Sequence, residues 1–341
     1  MSRLPRAVSA IAVPMVITAT LAGCGSSVPT PARTPLPLVQ VAQLRLPGDS
    51  SRFDYESLDP RRGLLFIAHL GQSQLIEVDT RARRVVRTIT GIADVHGVLA
   101  VPDEGRAYAT ATGTNQLVAL DEDTGAVLGR APTGAYPDGL AYDTADHTIW
   151  TTNEDDGSET VIDARTMRVV HTVQLGGSVG NVAYDPVGRQ ILVDVQSDNT
   201  LAAVDPATFT VVHRLPLPGC DHDHGLAVDP ADRLAFVACD GNAALLSVDL
   251  GTWTVAGTDR VGKDPDVLSY DPAARRLFVA AESGWVTVLH LDGRTLRVLG
   301  RDHLADGAHV VATDPASHLA YLPVPHSADG GPALLIEQVT P

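Results

Sequence analysis

Positive charge is scarce in this sequence. Its 341 residues include 25 Lys and Arg against 41 Asp and Glu, so the formal net charge is −16 with neutral histidines. Proteins bind nucleic-acid phosphates and anionic lipid surfaces mainly through Lys and Arg. The deficit therefore argues against nucleic acid as a partner and against charge-driven docking on a membrane. It is compatible with cationic ligands and metal ions.

Long apolar segments are also scarce. The one near the start, residues 7–21, follows Arg3 and Arg6 and is too short to span a bilayer securely, which is typical of a signal peptide. It leads into the sequence LAGC, which ends at Cys24 and resembles the bacterial lipobox, in which the cysteine receives a lipid. The alternative is an ordinary secretory signal that is cleaved nearby.

These features predict a lipoprotein on the extracytoplasmic face of a bacterial cell membrane. We expect residues 1–23 to form the signal peptide, Cys24 to carry the lipid, and residues 24–37 to form a Pro-rich tether. Removal of residues 1–23 removes two Arg and no acid, so the mature net charge is 23 − 41 = −18. No later apolar run is long enough to span a membrane, so contact with the membrane is expected through the anchor alone.

Cysteine is rare as well, because Cys220 and Cys239 are the only two besides Cys24. An isolated pair outside the cytoplasm most simply forms a disulfide. Cys220 precedes one strand-like run and Cys239 closes the next, and an antiparallel pairing would bring these two ends together. The alternative is a copper or zinc site that adds His222 and His224 to the two cysteines.

Short β-strands, by contrast, are abundant and repeat regularly. Aspartates that end an apolar run recur every 42 to 44 residues, at Asp79, Asp121, Asp163, Asp205, Asp249 and Asp292. A second series of D-P-type turns keeps the same step at seven places, residues 58–60, 100–102, 141–143, 184–186, 228–230, 270–272 and 313–315. Each unit contains four short runs rich in Val, Ile, Thr and aromatics, whereas capped helical spacing is absent after residue 24. Four strands in about 42 residues predict one blade of a β-propeller.

The seven turns predict an all-β fold, a seven-bladed β-propeller over residues 38–341 with four-stranded blades. The last unit, from about Gly307, lacks a fourth strand. Residues 38–46, near the start, are similar to a fourth strand such as VVHRLPLPG at 211–219. We therefore expect the N-terminal strand to close the last blade, which removes the open edges of a linear array.

Two stretches carry a resemblance to a known family. They are QILVDVQSDNTLAAVDPATFTVVHRL at 190–215 and RLFVAAESGWVTVLHLDGRTLRVL at 276–299. Both resemble the YVTN-type seven-bladed propellers of bacterial surface and periplasmic proteins, and the similarity extends over about residues 38–341. The resemblance implies the propeller fold but says little about activity, because that family mixes binding, adhesive and poorly characterised members.

One register of the repeat carries side chains suited to chemistry. Five residues before each D-P-type aspartate, or before its equivalent Val101, stand Asp54, His96, Asp138, Gly180, His224, Asp266 and His309. A propeller would gather these positions at one mouth of its central channel. Converging imidazole and carboxylate groups suit zinc, copper or iron, so the six Asp and His are the predicted ligands of a divalent transition metal. Alternatives are metal-free acid–base catalysis and a structural role in which each side chain hydrogen-bonds the adjacent blade.

A second polar set follows the D-P-type aspartates by ten to twelve residues, where the second strand of a unit ends. It comprises His69, Asn153, Glu154, Asp240, Glu282 and His326. On a propeller these loops border the same face as the ring. We therefore expect the five charged or ionisable members of the set to form the rim of a ligand site.

The favoured interpretation is a binding module for an envelope protein, a small-molecule ligand or a metal at this acidic, histidine-bearing mouth. A metal-dependent enzyme of hydrolase or lactonase type is the second interpretation, because propellers of other families place metals and acid–base groups at this mouth. A copper or redox protein is the third. No catalytic motif assigns a reaction, and we expect a monomer.

Overall fold

The computed structural model describes Met1 and residues 32–340. Most of the predicted signal peptide, the lipidation site Cys24 and the first part of the tether lie outside the described residues. The described part of the chain contains 28 strands in seven four-stranded antiparallel sheets, and two short 3-10 turns at Leu70–Gln72 and Thr112–Thr114. None of its helices has the length and apolar character needed to cross a membrane.

Each of the first six blades is built from four consecutive strands. The first three blades contain β2 (Glu56–Asp59), β3 (Leu64–His69), β4 (Gln74–Asp79) and β5 (Arg84–Thr90); β6 (Val95–Val101), β7 (Arg106–Ala111), β8 (Gln116–Asp121) and β9 (Val127–Pro132); and β10 (Pro137–Asp143), β11 (Thr148–Asn153), β12 (Ser158–Asp163) and β13 (Val169–Gln174). The next three contain β14 (Val182–Asp185), β15 (Gln190–Val195), β16 (Thr200–Asp205) and β17 (Thr210–Pro216); β18 (Asp223–Asp229), β19 (Leu234–Cys239), β20 (Ala244–Asp249) and β21 (Thr254–Arg260); and β22 (Pro265–Asp271), β23 (Arg276–Ala281), β24 (Trp285–Asp292) and β25 (Thr295–His303). The first strand of each blade contacts the first strand of the next, so these strands surround the central axis.

The seventh blade joins the two ends of the described chain. It contains β26 (Ala312–Asp314), β27 (Leu319–Val324), β28 (Ala333–Val339) and, as its outer strand, β1 (Leu38–Arg45). Strand β1 runs antiparallel to β28, from Leu38 opposite Val339 to Arg45 opposite Ala333. Since β26 also contacts β2, the circle is closed, and the predicted closure by the N-terminal strand is confirmed.

The repeated aspartates are turn residues. Asp59 Oδ1 accepts hydrogen bonds from the backbone N–H groups of the second and third residues after it, at 2.7 and 3.1 Å, and Asp79 Oδ1 does the same at 3.0 and 2.8 Å. Equivalent bonds occur at Asp121, Asp143, Asp163, Asp185, Asp205, Asp229, Asp249, Asp271 and Asp314. An aspartate at the first position of a turn satisfies N–H groups that the β-ladder leaves unpaired. The repeated aspartates therefore mark hairpin turns within each blade, and these turns hold the paired strands in register.

The apolar core is divided among the interfaces between neighbouring blades. Alternate side chains of one strand face opposite neighbours. In β3, Phe66 packs against Ala109 of the second blade, whereas Leu65 packs against Tyr321 of the seventh. Every blade is thus fixed on both faces, which holds the seven inner strands at defined positions around the axis.

Cys220 and Cys239 form a disulfide, with their Cα atoms 5.4 Å apart. It joins the segment before β18 to the end of β19, so the predicted disulfide is confirmed and the alternative Cys/His metal site is not formed. His222 instead contacts Asp240, with 2.8 Å between Nδ1 and Oδ1.

Candidate functional site at the channel mouth

The inner strands bring the six predicted Asp and His side chains together at one mouth of the channel. His96 Nε2 lies 3.7 Å from Asp54 Oδ2, and His224 Nε2 lies 3.3 Å from Asp266 Oδ1. His309 Nε2 lies 4.0 Å from Asp266 Oδ2. These side chains form a buried ring, while their role as metal ligands stays a prediction.

Small residues directly after the ring allow the inner strands to approach closely. Gly97 follows His96, and a Cβ atom at Gly97 would lie 2.1 Å from the carbonyl oxygen of Asp138. A Cβ atom at Gly225, which follows His224, would lie 2.2 Å from the carbonyl oxygen of Asp266. The glycines therefore set the spacing of the ring.

A cavity of about 330 Å³ opens at this mouth. It is lined by Arg52, Asp54, Tyr55, Leu70, His96, Tyr136, Asp138, Glu154, His224 and Asp266. Tyr55 also lines a second cavity of about 270 Å³ among the inner strands, and its hydroxyl donates a hydrogen bond to Asn181 Oδ1 at 2.8 Å. Tyr55 thus lies between the mouth and the interior of the channel.

Arg52, Tyr55 and Tyr136 are not among the residues predicted from the sequence, and Arg52 is the charged residue among these three. Its Nε lies 3.6 Å from Asp54 Oδ2 and its Nη2 lies 3.7 Å from Asp266 Oδ2, while its Nη1 hydrogen-bonds Glu282. Arg52 stands two residues before the ring position of the first blade, where the corresponding residues of the other blades are Asp94, Tyr136, Ser178, His222, Asp264 and Gly307. At this position, two residues before each ring residue, Arg52 and His222 are the basic side chains of the seven blades.

On the opposite side of the mouth, polar side chains are linked by hydrogen bonds. Tyr136 Oη lies 3.1 Å from His96 Nε2. Gln196 donates to Glu154 at 2.8 Å, and its carbonyl Oε1 lies 3.0 Å from His224 Nδ1. Asp138 Oδ1, on this side of the mouth, is buried and finds no hydrogen-bond partner among the described residues.

Burial and charge shift the pKa values of three ring members in different directions. Burial alone would lower the pKa of His224, but the hydrogen bond and charge of Asp266 outweigh it and raise the pKa to about 10. Burial would raise the pKa of Asp266, yet its bond to His224 and the nearby positive charges hold the pKa below its usual value. Burial and then the charge of Asp54 raise the pKa of Asp138 to about 7. His224 and Asp266 therefore form an ion pair, whereas Asp138 is poised between its charged and neutral forms.

The second predicted set is divided by the structure. Glu154 lines the mouth cavity, Glu282 contacts Arg52, and Asp240 lies beside His222. The role of these carboxylates in ligand binding stays a prediction.

The remaining members of that set lie elsewhere. His69 is fully buried and stacks on Phe53 at 4.3 Å between ring centroids, and burial lowers its pKa. Asn153 is also buried and donates to Thr160 at 2.9 Å within its own blade. His326 is exposed. None of the three lines the mouth cavity.

Comparison with known proteins supports the fold. No known protein family and no curated protein matches the chain. A chain of Kuenenia stuttgartiensis hydrazine synthase matches with a TM-score of 0.73 and 15% identity, over 88% of this chain and 99% of that one. A chain from a crystal structure of the mitotic checkpoint complex matches with a TM-score of 0.75 and 13% identity, over 96% of this chain and 99% of that one.

The chain is a seven-bladed β-propeller. Identities this low show the fold alone, because propellers with unrelated functions share it. The YVTN-type family stays a prediction.

Proposed function

We propose that the protein is a lipid-anchored, extracytoplasmic propeller of the YVTN type that binds a small ligand at the channel mouth. The lipobox-like sequence ending at Cys24 supports the anchor. The disulfide between Cys220 and Cys239 supports an oxidising compartment, since disulfides are rare in the cytosol. The closed propeller supports a binding role, because it presents loops and inner-strand residues from seven blades around one cavity.

The observation that carries this proposal is the buried Oδ1 atom of Asp138, which has no hydrogen-bond partner among the described residues. A buried polar atom without a hydrogen-bond partner costs free energy, so such atoms are found where a ligand supplies the partner. Glu154 adds a second carboxylate to the same cavity, and Tyr136 adds an aromatic ring and a hydroxyl. Two carboxylates beside an aromatic ring are suited to an ammonium group, so we propose a small organic amine as the ligand.

Binding of a panel of amines to full-length, tag-free protein tests the proposal. Ethanolamine, choline and spermidine are the probes, glucose is the neutral control, and isothermal titration calorimetry is the measurement. We expect binding of at least one amine and a loss of about tenfold or more in affinity in Asp138→Asn, because a buried charge-assisted hydrogen bond is removed. Asp103→Asn, on the exposed surface, is the matched control.

Amine binding that is unchanged in Asp138→Asn would contradict the proposal, as would the absence of binding by every amine. An envelope protein that docks on the mouth is the alternative occupant. The metal-dependent hydrolase or lactonase and the copper or redox protein stay predictions, because no motif or geometry at the ring specifies a reaction.

A further inference from the structure

We infer that Asp54, Asp266 and His309 form a site for one divalent transition-metal ion, and that Arg52 closes this site as a tethered cation. The inference goes beyond the proposed ligand, because it concerns the other side of the mouth and a different chemistry. Each of the three residues offers one ligand atom, and these atoms lie within 4.8 Å of one another. They come from the first, sixth and seventh blades, which are neighbours around the ring.

Two of the donor atoms are available for a metal. Asp54 Oδ2 and His309 Nε2 are buried, and neither has a hydrogen-bond partner in the part of the chain that the structure describes. Both side chains are about as buried as core residues, with exposed fractions of 2% each. Because a buried imidazole nitrogen without a partner is costly, its position beside two carboxylates favours a cation-binding role over a structural hydrogen bond.

The orientation of the His309 ring strengthens this assignment. His309 Nδ1 lies 3.1 Å from the carbonyl oxygen of Gly307, which can only accept a hydrogen bond, so Nδ1 carries the proton. Nε2 then presents its lone pair toward the two aspartates. A carboxylate oxygen of Glu282 lies 3.6 Å from Nδ1 on the same side as the carbonyl. Metal-bound histidines are held in this way, with the second ring nitrogen donating to a carbonyl or carboxylate.

Arg52 lies at the position from which it can close this site. Its distances to Asp54 and Asp266, 3.6 and 3.7 Å, are longer than normal hydrogen bonds, so it neutralises the two carboxylates without satisfying them. Its one hydrogen bond within this cluster is to Glu282. With 43% of its side chain exposed, Arg52 can move into solvent when another cation binds. A metal ion and the guanidinium group therefore compete for the same pair of acids.

The donor set identifies the class of metal. One imidazole and two carboxylates suit zinc, manganese or iron, and three protein ligands leave positions open for water or a ligand. Calcium and magnesium are less suited, because both prefer an all-oxygen shell.

Zinc binding by full-length, tag-free protein tests the inference, with isothermal titration calorimetry as the measurement and Co²⁺ absorption as the report on coordination. We expect one Zn²⁺ per chain in the wild type. Arg52→Met removes one positive charge a few Å from the metal and should tighten binding by about tenfold or more. Adding His309→Gln to either protein should weaken binding by about tenfold or more, because one ligand is lost.

His171→Gln is the matched control for the histidine change, because His171 is exposed on β13 and stacks on Phe209. Zinc affinity that is unchanged in His309→Gln, or zinc binding that is absent from both the wild type and Arg52→Met, overturns the inference. If Arg52→Met does not fold, the comparison of wild type with His309→Gln decides alone. Zinc binding without amine binding would count against the proposed ligand only.

Discussion

The two sides of the channel mouth use the same residue types in different ways. On the side of blades five, six, seven and one, the charges are matched: His224 pairs with Asp266, and Arg52 faces Asp54, Asp266 and Glu282. On the side of blades two, three and four, the buried carboxylate of Asp138 has no cation of its own within hydrogen-bond distance. The pKa of Asp266 is held below its usual value, whereas the pKa of Asp138 is raised to about 7. Burial also raises the pKa of Asp54, although Arg52 lies beside it.

This difference predicts that acids on the two sides contribute differently to stability. Removal of one partner of a buried ion pair strongly destabilises a protein. The ion pairs of the matched side are therefore expected to hold neighbouring blades together. A buried acid without a partner costs stability, and such groups persist at sites that serve a ligand. Removal of a paired buried acid should therefore lower stability, whereas removal of a buried acid that has no partner should raise it.

The largest effect is expected on the matched side. Asp266→Ala removes the partner of His224, and it should lower the free energy of unfolding by about 3 kcal/mol, because the mostly buried positive charge of His224 is left unpaired. Urea unfolding at neutral pH measures the change. Asp306→Ala, at a position that is 84% exposed, is the control. A loss no larger than in that control would remove the distinction between the two sides.

A smaller effect, of opposite sign, is expected at a buried acid in the third blade. Glu159 on β12 is fully buried and both its carboxylate oxygens lack a partner among the described residues. The equivalent positions of the other blades carry apolar side chains, Leu75, Leu117, Leu201, Leu245, Val286 and Leu334. Glu159→Leu should raise the free energy of unfolding by about 2 kcal/mol at about pH 8, because it removes a buried polar group.

The gain should depend on pH in a defined direction. Burial raises the pKa of Glu159 well above its usual value, so the folded state holds a proton that the unfolded state releases. Wild-type stability therefore falls as pH rises above the unfolded pKa of about 4.3, and the advantage of Glu159→Leu grows with pH over that range. Glu159→Gln, which cannot titrate, should share the pH trend but gain less stability. An advantage that shrinks as pH rises would contradict this account.

The smallest effect concerns the hydrogen bond between Tyr136 and His96. Tyr136→Phe removes the hydroxyl at the rim of the unmatched side and should cost about 1 kcal/mol, the usual net value of one hydrogen bond. Tyr142→Phe is the comparison, because the Tyr142 hydroxyl lies 2.7 Å from His147 Nδ1 at a turn outside the mouth. Thermal unfolding measures both. A cost several times larger in Tyr136→Phe than in Tyr142→Phe would show that the unmatched side also holds blades together.

The repeat spacing predicts the blades and the ring because both depend on one local signal, the turn aspartate. Counting back from each turn places the six ring side chains correctly even though Asp54 and His309 precede their inner strands, β2 and β26, which are only four and three residues long. The same count does not identify Arg52, because Arg52 lies two residues before the ring position. Its contact with Asp266 also joins the first blade to the sixth, which the spacing does not predict.

For the second polar set, the repeat spacing does not predict correctly which side chains line the mouth. His69 and Asn153 end their strands and point into a blade interface, whereas Glu154, one residue further, lines the mouth. Successive residues of a strand face opposite sides of the sheet. A set defined by an offset of ten to twelve residues therefore includes both buried residues and residues that line the mouth. The charge states of the ring residues also could not be predicted from the sequence, because they depend on distances between side chains of different blades.

The pairing of β1 with β28 ties the mouth to both ends of the described chain. Asp54 follows the strand that enters the final blade, and His309 precedes that blade's own inner strand. These two side chains therefore depend on the closed circle for their position beside each other. Occupancy of a site that includes both would report that the circle is closed.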